Sequence, residues 1–383
     1  MHICFITNEY PKQGFSHGGI GTFVATFAKN LVEGGHKVSV IGINNYTNQN
    51  EEETHCGITV YRLKPRKVKG LTWFFNSKTI TNKINEIDAN TPIDIVETTE
   101  LGLAFLSKLK SIKYIIRLHG GHHFFAESEK RGINKWKGFQ EKRSFKKSDG
   151  FIAVSKYVKS HTAKYLSYYN KPIKIIKNAI DLEIFSPITS IRVKESTLLF
   201  AGTVCEKKGI TQLIKAMPKV LKHNPDIELY IYGRDWFFKD GRSYIEFLKK
   251  DIIPNLNINE NRIHFMGTLP LSELAKKYAS AECCVFPSLM ETQGLVAPEA
   301  MAMNKLVIFS ECGPGPETII HNKTGLLCDP YDVNDISDKI IWALSYKEES
   351  KTIANSGRAF VLKEFNPKRI TKLNIDYYKS VLN

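Results

Sequence analysis

Glu291 and Glu299 stand eight residues apart in the stretch Glu291-Thr292-Gln293-Gly294-Leu295-Val296-Ala297-Pro298-Glu299-Ala300-Met301-Ala302. The chemistry on offer is hydrogen-bond acceptance at two points with main-chain donors between them. The apolar run Cys283-Cys284-Val285-Phe286 before it reads as a strand, so the stretch lies at a strand's carboxyl end and leads into a helix. Glu291 then belongs to the loop. Gly294 and Leu295 present N–H groups at the helix start, where the first amides lack partners and favour an anion. Pro298 suits a first helical turn, and Glu299 follows about one turn, or ~5.4 Å, into the helix. Acceptor-only groups flanking bare amides suit a ligand with hydroxyls at both ends and phosphate between, the layout of a nucleotide sugar. Each acid also has a plainer reading: Glu291 as an anion at a helix N-terminus, Glu299 as a solvated helix residue.

Two glycine loops offer related chemistry. Gly18-Gly19-Ile20-Gly21 follows the first strand, and bare backbone there lets a phosphate or sugar approach a helix N-terminus. A dinucleotide fingerprint is disfavoured, because Val24 stands where its third glycine belongs. The next strand also ends at Ile41-Gly42-Ile43-Asn44-Asn45 without an acid for a ribose hydroxyl. The plainer reading of the glycines is a tight turn at positive φ. The second loop, Gly202-Thr203-Val204-Cys205-Glu206-Lys207-Lys208-Gly209, lacks the G-K-[ST] ending of a P-loop. It still sets lysines beside a helix N-terminus, a pairing suited to diphosphate.

These residues need strands and helices to hold them, and the pattern supplies both twice. Strands are expected at 3–6, 37–41, 93–97, 114–118, 151–154 and 173–176, with a helix from about Thr22 to Glu33 ended by Gly34-Gly35. After a break at Phe185-Ser186-Pro187 the order strand, glycine loop, helix begins again. Strands are expected at 197–200, 228–232, 262–266, 283–286 and 306–309, with a helix at 210–222. The fold class is therefore α/β, two doubly wound Rossmann-like domains facing across a cleft, residues 1–185 and 186–366. A final helix, 367–383, has apolar spacing at Ile370, Leu373, Tyr377 and Val381 and is expected to pack back on the first domain.

Bulk properties narrow the classes. With 383 residues, 42% hydrophobic and 24% charged, the chain is globular and long enough for two cores. Its seven cysteines form no C-x-x-C pair and sit mostly in apolar runs, which points to a reduced, cytoplasmic protein without structural zinc. No basic-then-apolar leader and no spanning run is present, so secretion and membrane spanning are not expected. Residues 1–185 hold 28 Lys/Arg against 16 Asp/Glu, and the remainder 26 against 23. That asymmetry points to an anionic partner or a solvated basic face. Nucleic acid is not expected, since no interleaved aromatic–basic motif of an RNA-recognition type is found. His122 and His123 follow His119, but no Cys or carboxylate spacing makes a metal set.

The stretch from Glu291 to Glu299 resembles the E-x7-E motif of retaining glycosyltransferase family 4, which has the two-domain GT-B fold. The resemblance covers nearly the whole chain. Gly18-Gly19 resembles the family's N-terminal glycine pair, and Arg117-Leu118-His119-Gly120 its strand-end histidine. Val154-Ser155, Asn178-Ala179-Ile180-Asp181, Gly313-x-Gly315-x-Glu317 and Thr324-Gly325-Leu326-Leu327 resemble further family signatures. By position, the resemblance implies that Glu291 binds donor-sugar hydroxyls, Glu299 the ribose and Lys208 the diphosphate, while His119 holds the sugar. It implies front-face attack with retention, the donor phosphate taking the acceptor proton, and no metal or other cofactor. Three departures stand out: Thr203 replaces the usual arginine, Ala179 a glycine and Gln293 a phenylalanine. Lys207 or Arg234 is the expected substitute for the missing arginine.

The expected protein is a retaining hexosyltransferase. It moves sugar from a UDP- or GDP-sugar to a glycan or lipid-linked acceptor in surface-polysaccharide synthesis. The alternatives are a weakened or non-catalytic sugar-nucleotide-binding protein and a sugar-nucleotide epimerase of the same fold. The basic segment Lys135–Lys147, with Trp136, Phe139 and Phe145, is the expected contact with an anionic surface on the inner face of the membrane.

Overall fold

The structure, a computed structural model, describes every residue except 16, 17, 44, 45, 47, 48 and 129–131. The Asn44-Asn45 step after the second strand lies outside the described residues. The chain divides into two compact units, residues 1–179 with 367–383, and residues 180–366. The change of unit falls before the Phe185-Ser186-Pro187 break. Ile180 and Phe185 are already buried in the second unit's core, so the Ser-Pro step is a turn within that unit.

The first unit is built on eight strands: β1 (His2–Ile6), β2 (Lys37–Ile43), β3 (Glu51–His55), β4 (Ile58–Leu63), β5 (Ile95–Thr98), β6 (Lys113–Leu118), β7 (Gly150–Ala153) and β8 (Ile173–Ile175). Their order is β3-β4-β2-β1-β5-β6-β7-β8. Every neighbouring pair is parallel except β3 and β4. Central strands such as β1 and β5 are buried along their whole length, as strands covered on both faces must be. The β3–β4 hairpin was not expected. Its turn residues Cys56 and Gly57 both take positive φ, 48° and 77°, a conformation usually signalled by Asn-Gly or Asp-Gly. Its outer strand, Glu51-Glu52-Glu53, is too polar to read as a strand and suits an exposed edge.

The helix after β1 runs Gly19–Glu33, so the glycine pair heads the helix directly. Phe23, Val24, Phe27, Ala28 and Leu31 face the sheet at helical spacing. The final helix, Pro367–Leu382, belongs to this unit, and polar contacts bind it there. The buried Arg117 Nε donates to Glu97 Oε1 at 2.7 Å. Arg117 also donates through Nη2 to Asn374 Oδ1 at 2.6 Å, and the Tyr378 hydroxyl donates to Glu97 Oε2 at 2.6 Å. Phe145 is a correction: it is fully buried, its ring 4.9 Å from that of Phe151, because it lies on the sheet-facing side of helix Lys135–Lys147.

The second unit carries six parallel strands: β9 (Thr197–Ala201), β10 (Glu228–Tyr232), β11 (Ile263–Gly267), β12 (Cys283–Phe286), β13 (Leu306–Ser310) and β14 (Leu326–Cys328), in the order β11-β10-β9-β12-β13-β14. Strand order reverses between β9 and β12, as it does between β1 and β5 in the first unit. Such reversals open a crevice at the carboxyl ends of the strands, where doubly wound sheets bind ligands. Five of the seven cysteines are buried and none forms a disulfide. Among the described residues no helix is long and apolar enough to cross a membrane.

Candidate functional site

The second unit gathers its chemistry at the β9/β12 reversal. After β9 the loop tightens into a short 3-10 turn, Glu206–Lys208, closed by Gly209 at φ +68° before helix Ile210–His223. Only glycine fits there: a Cβ would lie 1.7 Å from the Pro287 carbonyl oxygen. The loop after β12 is tied to the same turn. The Leu289 and Met290 amides donate to the Lys207 carbonyl at 3.0 and 3.2 Å. Across this seam Lys208 Nζ donates to Glu291 Oε1, which also accepts from the Ser288 hydroxyl at 3.1 Å. Lys208 and Glu291, 83 residues apart in sequence, therefore form one ion pair.

Gly294 takes φ +75°, and a Cβ on it would lie 2.6 Å from Cζ of Phe309. The helix proper is Val296–Ala302, with Leu295 at its cap. It starts slightly later than the sequence pattern implies and leaves the Gly294, Leu295 and Val296 amides at its head. Glu299 is 6% exposed, which overturns its reading as a solvated helix residue. Burial pushes its carboxyl up to about 7, against a smaller opposing effect of the Tyr278 hydroxyl, which donates to Oε2 at 3.5 Å.

Thr203 and Arg234 meet as well. The Gly202 amide donates to the Tyr232 carbonyl and the Val204 amide to that of Arg234, both at 2.9 Å, so the turns after β9 and β10 run side by side. Arg234 Nε donates to the Thr203 hydroxyl at 3.4 Å. A guanidinium thus lies at the Thr203 position although the residue there carries none. Lys207 contributes its carbonyl to the seam described above.

In the first unit Gly18 caps helix Gly19–Glu33 at φ −94°, and neither Gly18 nor Gly19 has positive φ. The tight-turn reading is thereby corrected. A Cβ on Gly18 would lie 2.5 Å from Glu9 Oε2, whereas one on Gly19 meets nothing within 4 Å. His119 follows β6, its ring 5.4 Å from that of Phe23, and the Arg117 guanidinium lies 4.5 Å from the centre of the same Phe23 ring. Burial, then the Arg117 charge, pulls the His119 imidazole down to about 3. It is neutral at pH 7, a hydrogen-bonding group rather than a cation.

Sequence reasoning missed Glu100. It is 4% exposed just beyond β5, and its Oε1 is buried without a hydrogen-bond partner among the described residues. Burial, with Glu141 adding to it, pushes Glu100 up to about 8. Its position after a strand's carboxyl end was the available signal, but no spacing links it to His119. His122 and His123 are anchoring residues. His123 Nδ1 contacts Glu141, and His122 Nε2 accepts from the Asn134 amide at 2.8 Å. No group of three metal-ligating side chains occurs among the described residues.

Each unit is a Rossmann-like domain with polar groups at the carboxyl edge of its sheet: helix-end amides and a lysine in the second, a neutral histidine in the first. Comparison with known families is specific. The profile of Glycosyl transferases group 1 matches residues 182–360, and that of Glycosyltransferase Family 4 matches residues 17–184. The chain belongs to the group 1, family 4 glycosyltransferases, and its fold is GT-B. An uncharacterized glycosyltransferase of Methanocaldococcus jannaschii is 28% identical, with 99% of this chain and 98% of that protein covered. Sucrose-phosphate synthase from Thermosynechococcus elongatus superposes with a TM-score of 0.84 at 21% identity, covering 99% and 98% of the two chains. Anabaena HepE, in complex with UDP-glucose, gives 0.79 at 17% identity, covering 99% and 100%.

Proposed function

We propose that this glycosyltransferase moves a hexose-type sugar from a UDP- or GDP-sugar to a glycan or lipid-linked acceptor in surface-polysaccharide synthesis, with retained configuration and no metal. The observation that carries the reading is the convergence of Lys208, Glu291, the Gly294–Leu295 amides and Glu299 at one strand-order reversal. HepE, of the same fold, holds UDP-glucose, which supports the donor class.

In this reading Glu299 accepts from the ribose hydroxyls and Glu291 from hydroxyls of the donor sugar. The diphosphate lies against Lys208 and the amides of Gly294 and Leu295, with Arg234 as the second cation, and Gly18 and Gly19 are assigned to donor binding in the first unit by their family position. The Lys208–Glu291 pair then opens, the lysine turning to phosphate and the carboxylate to sugar. These groups meet the charge that grows on the leaving diphosphate, the part a metal plays elsewhere. Neutral His119 accepts from or donates to a sugar hydroxyl. The acceptor oxygen bonds to the anomeric carbon as its bond to phosphate breaks, and the acceptor proton passes to the phosphate oxygen.

The test is NMR of the sugar released when each candidate donor is incubated with the protein in EDTA. An α-linked donor giving first the α anomer is expected. The β anomer would contradict retention, and turnover restored only by Mg2+ would contradict metal independence. A donor inverted at a ring carbon, with no sugar released, would favour the epimerase.

A further inference from the structure

The first unit exposes an aromatic patch that the transfer chemistry does not use. Trp73 is its hub, with ring centroids 4.0 Å from Phe105 and 5.4 Å from Trp136. Trp136 stacks on Phe139 at 5.7 Å, one helical turn along. Trp136 and Phe139 are 45% and 48% exposed, and Leu71 and Phe74 beside Trp73 are 47% and 46% exposed. Three separate segments build this patch, so it is not one loop's stray side chain. An exposed apolar patch of this kind marks a surface with a partner.

Charge identifies the partner. Residues 64–78 hold Lys64, Arg66, Lys67, Lys69 and Lys78 and no acid. Residues 132–147 hold six Lys/Arg and one acid, Glu141, which is wholly buried against His123. The charges these segments show to solvent are all positive, set among the exposed apolar side chains Val68, Leu71, Phe74, Ile133, Trp136 and Phe139. A second copy of this chain or a soluble glycan has no need of such uniform charge, whereas an anionic bilayer surface matches both components. Aromatic rings settle at headgroup level, and lysines are drawn to anionic lipid.

Topology adds a direction. Residues 64–71 leave the carboxyl end of β4, Phe105 follows β5, and Trp136 opens the second of the two described helices between β6 and β7. The patch thus shares the carboxyl edge of the sheet with Gly18 and His119. We infer that this aromatic–basic surface seats the first unit on an anionic membrane, with its ligand-binding edge toward the headgroups. Resting on the transferase reading above, the acceptor is then a membrane-resident amphiphile whose hydroxyl-bearing head stands at the bilayer surface.

The test uses the full chain with vesicles of phosphatidylcholine alone or mixed with phosphatidylglycerol. Co-sedimentation is expected only with the mixed vesicles and falls about tenfold or more as salt screens the lysines. Brominated acyl chains quench tryptophan emission in the wild type, and Trp136→Ser/Phe139→Ser weakens that quenching, leaving Trp73 as the patch's remaining reporter. The double variant and Lys135→Glu/Lys137→Glu each lose about tenfold in vesicle binding, by loss of apolar and of electrostatic attraction, while keeping the wild-type melting temperature. No binding to mixed vesicles, or equal binding by both variants and wild type, overturns the inference. So does a concentration-dependent dimer abolished by the double variant, or tryptophan quenching by soluble oligosaccharide without vesicles. Vesicle binding without any nucleotide-sugar shift supports the surface while removing the transferase reading beneath the acceptor class.

Discussion

The two sheet edges are built from different materials. In the second unit the edge is made of backbone: Gly209 and Gly294 at positive φ, each against an atom a Cβ would strike, bring two loops into register so that Lys208 reaches Glu291. In the first unit the glycine pair has ordinary dihedrals, and the edge is made of buried side chains. Glu97 and Arg117 are held by each other, by aromatic rings and by the final helix, and Glu100 is buried just beyond β5. The lesson is that a site held by main-chain geometry leaves a short local motif, whereas a site held by buried charge scatters its parts over the chain.

That difference can be broken most sharply in the first unit. Glu97→Gln would leave the Arg117 guanidinium buried without its counter-charge and strip the Tyr378 hydroxyl of its acceptor. Losing one member of such a pair costs about 3–5 kcal/mol. Calorimetry should show the first unit melting well below its wild-type temperature. An unchanged thermogram would mean that the final helix is held by its apolar face alone.

The second unit should instead lose function with little loss of stability when its lysine is cut back. Lys208→Ala is expected to lower kcat by about 100- to 1000-fold, the cost of one transition-state charge donor. Stability should move little, because the ion pair is partly exposed. A fall of less than about threefold would place the diphosphate's positive partner elsewhere. Arg234→Ala should cost less than Lys208→Ala, and adding Thr203→Arg to it should restore donor affinity. Failure of that rescue would separate the two positions.

Gly294→Ala tests the backbone side of the comparison. Positive φ and the Phe309 ring both oppose the new methyl, at a cost of about 1–3 kcal/mol. Gly19→Ala, which meets nothing, should be nearly neutral for stability. Equal losses from both would dissolve the distinction drawn between the two edges.

The smallest effect is a pH dependence. The folded Glu299 carboxyl titrates near 7, above its ordinary 4.5, so the folded state holds a proton that the unfolded chain has released. The stability this gives is full below about 4.5 and is lost as pH rises through 7. If ribose hydroxyls bind the carboxylate, UDP-glucose affinity should rise with pH below about 7, by up to about tenfold per unit, and level off above. Glu299→Gln should flatten the curve. A wild-type curve that is already flat would mean that the site takes the protonated acid.

The same contrast explains what was legible in the sequence. The alternation of apolar runs with helical spacing gave both sheets, because strands buried on both faces are continuously apolar. The hairpin Glu51–Leu63 escaped because its turn is Cys56-Gly57 and its edge strand is acidic, and β14 escaped because it is only three residues long. Glu291, Gly294 and Glu299 were legible because one loop-to-helix segment carries them all. That Glu299 is buried, that Phe145 is core, and that Arg234 leans on Thr203 depend on tertiary neighbours no local spacing encodes. Glu100 belongs to the same group: the burial that raises its carboxyl comes from neighbours no local spacing encodes.

The most direct test of the central claim is a thermal-shift screen in EDTA against UDP, GDP, ADP and a set of UDP- and GDP-sugars, repeated on Glu299→Ala. A ligand at about 100 times its Kd adds about 2.7 kcal/mol, a visible rise in melting temperature. The account predicts a rise with one nucleotide class, larger for its sugar conjugate, and lost in the variant. No rise with any nucleotide, or a rise that Glu299→Ala leaves intact, would contradict a donor site at the β9/β12 edge.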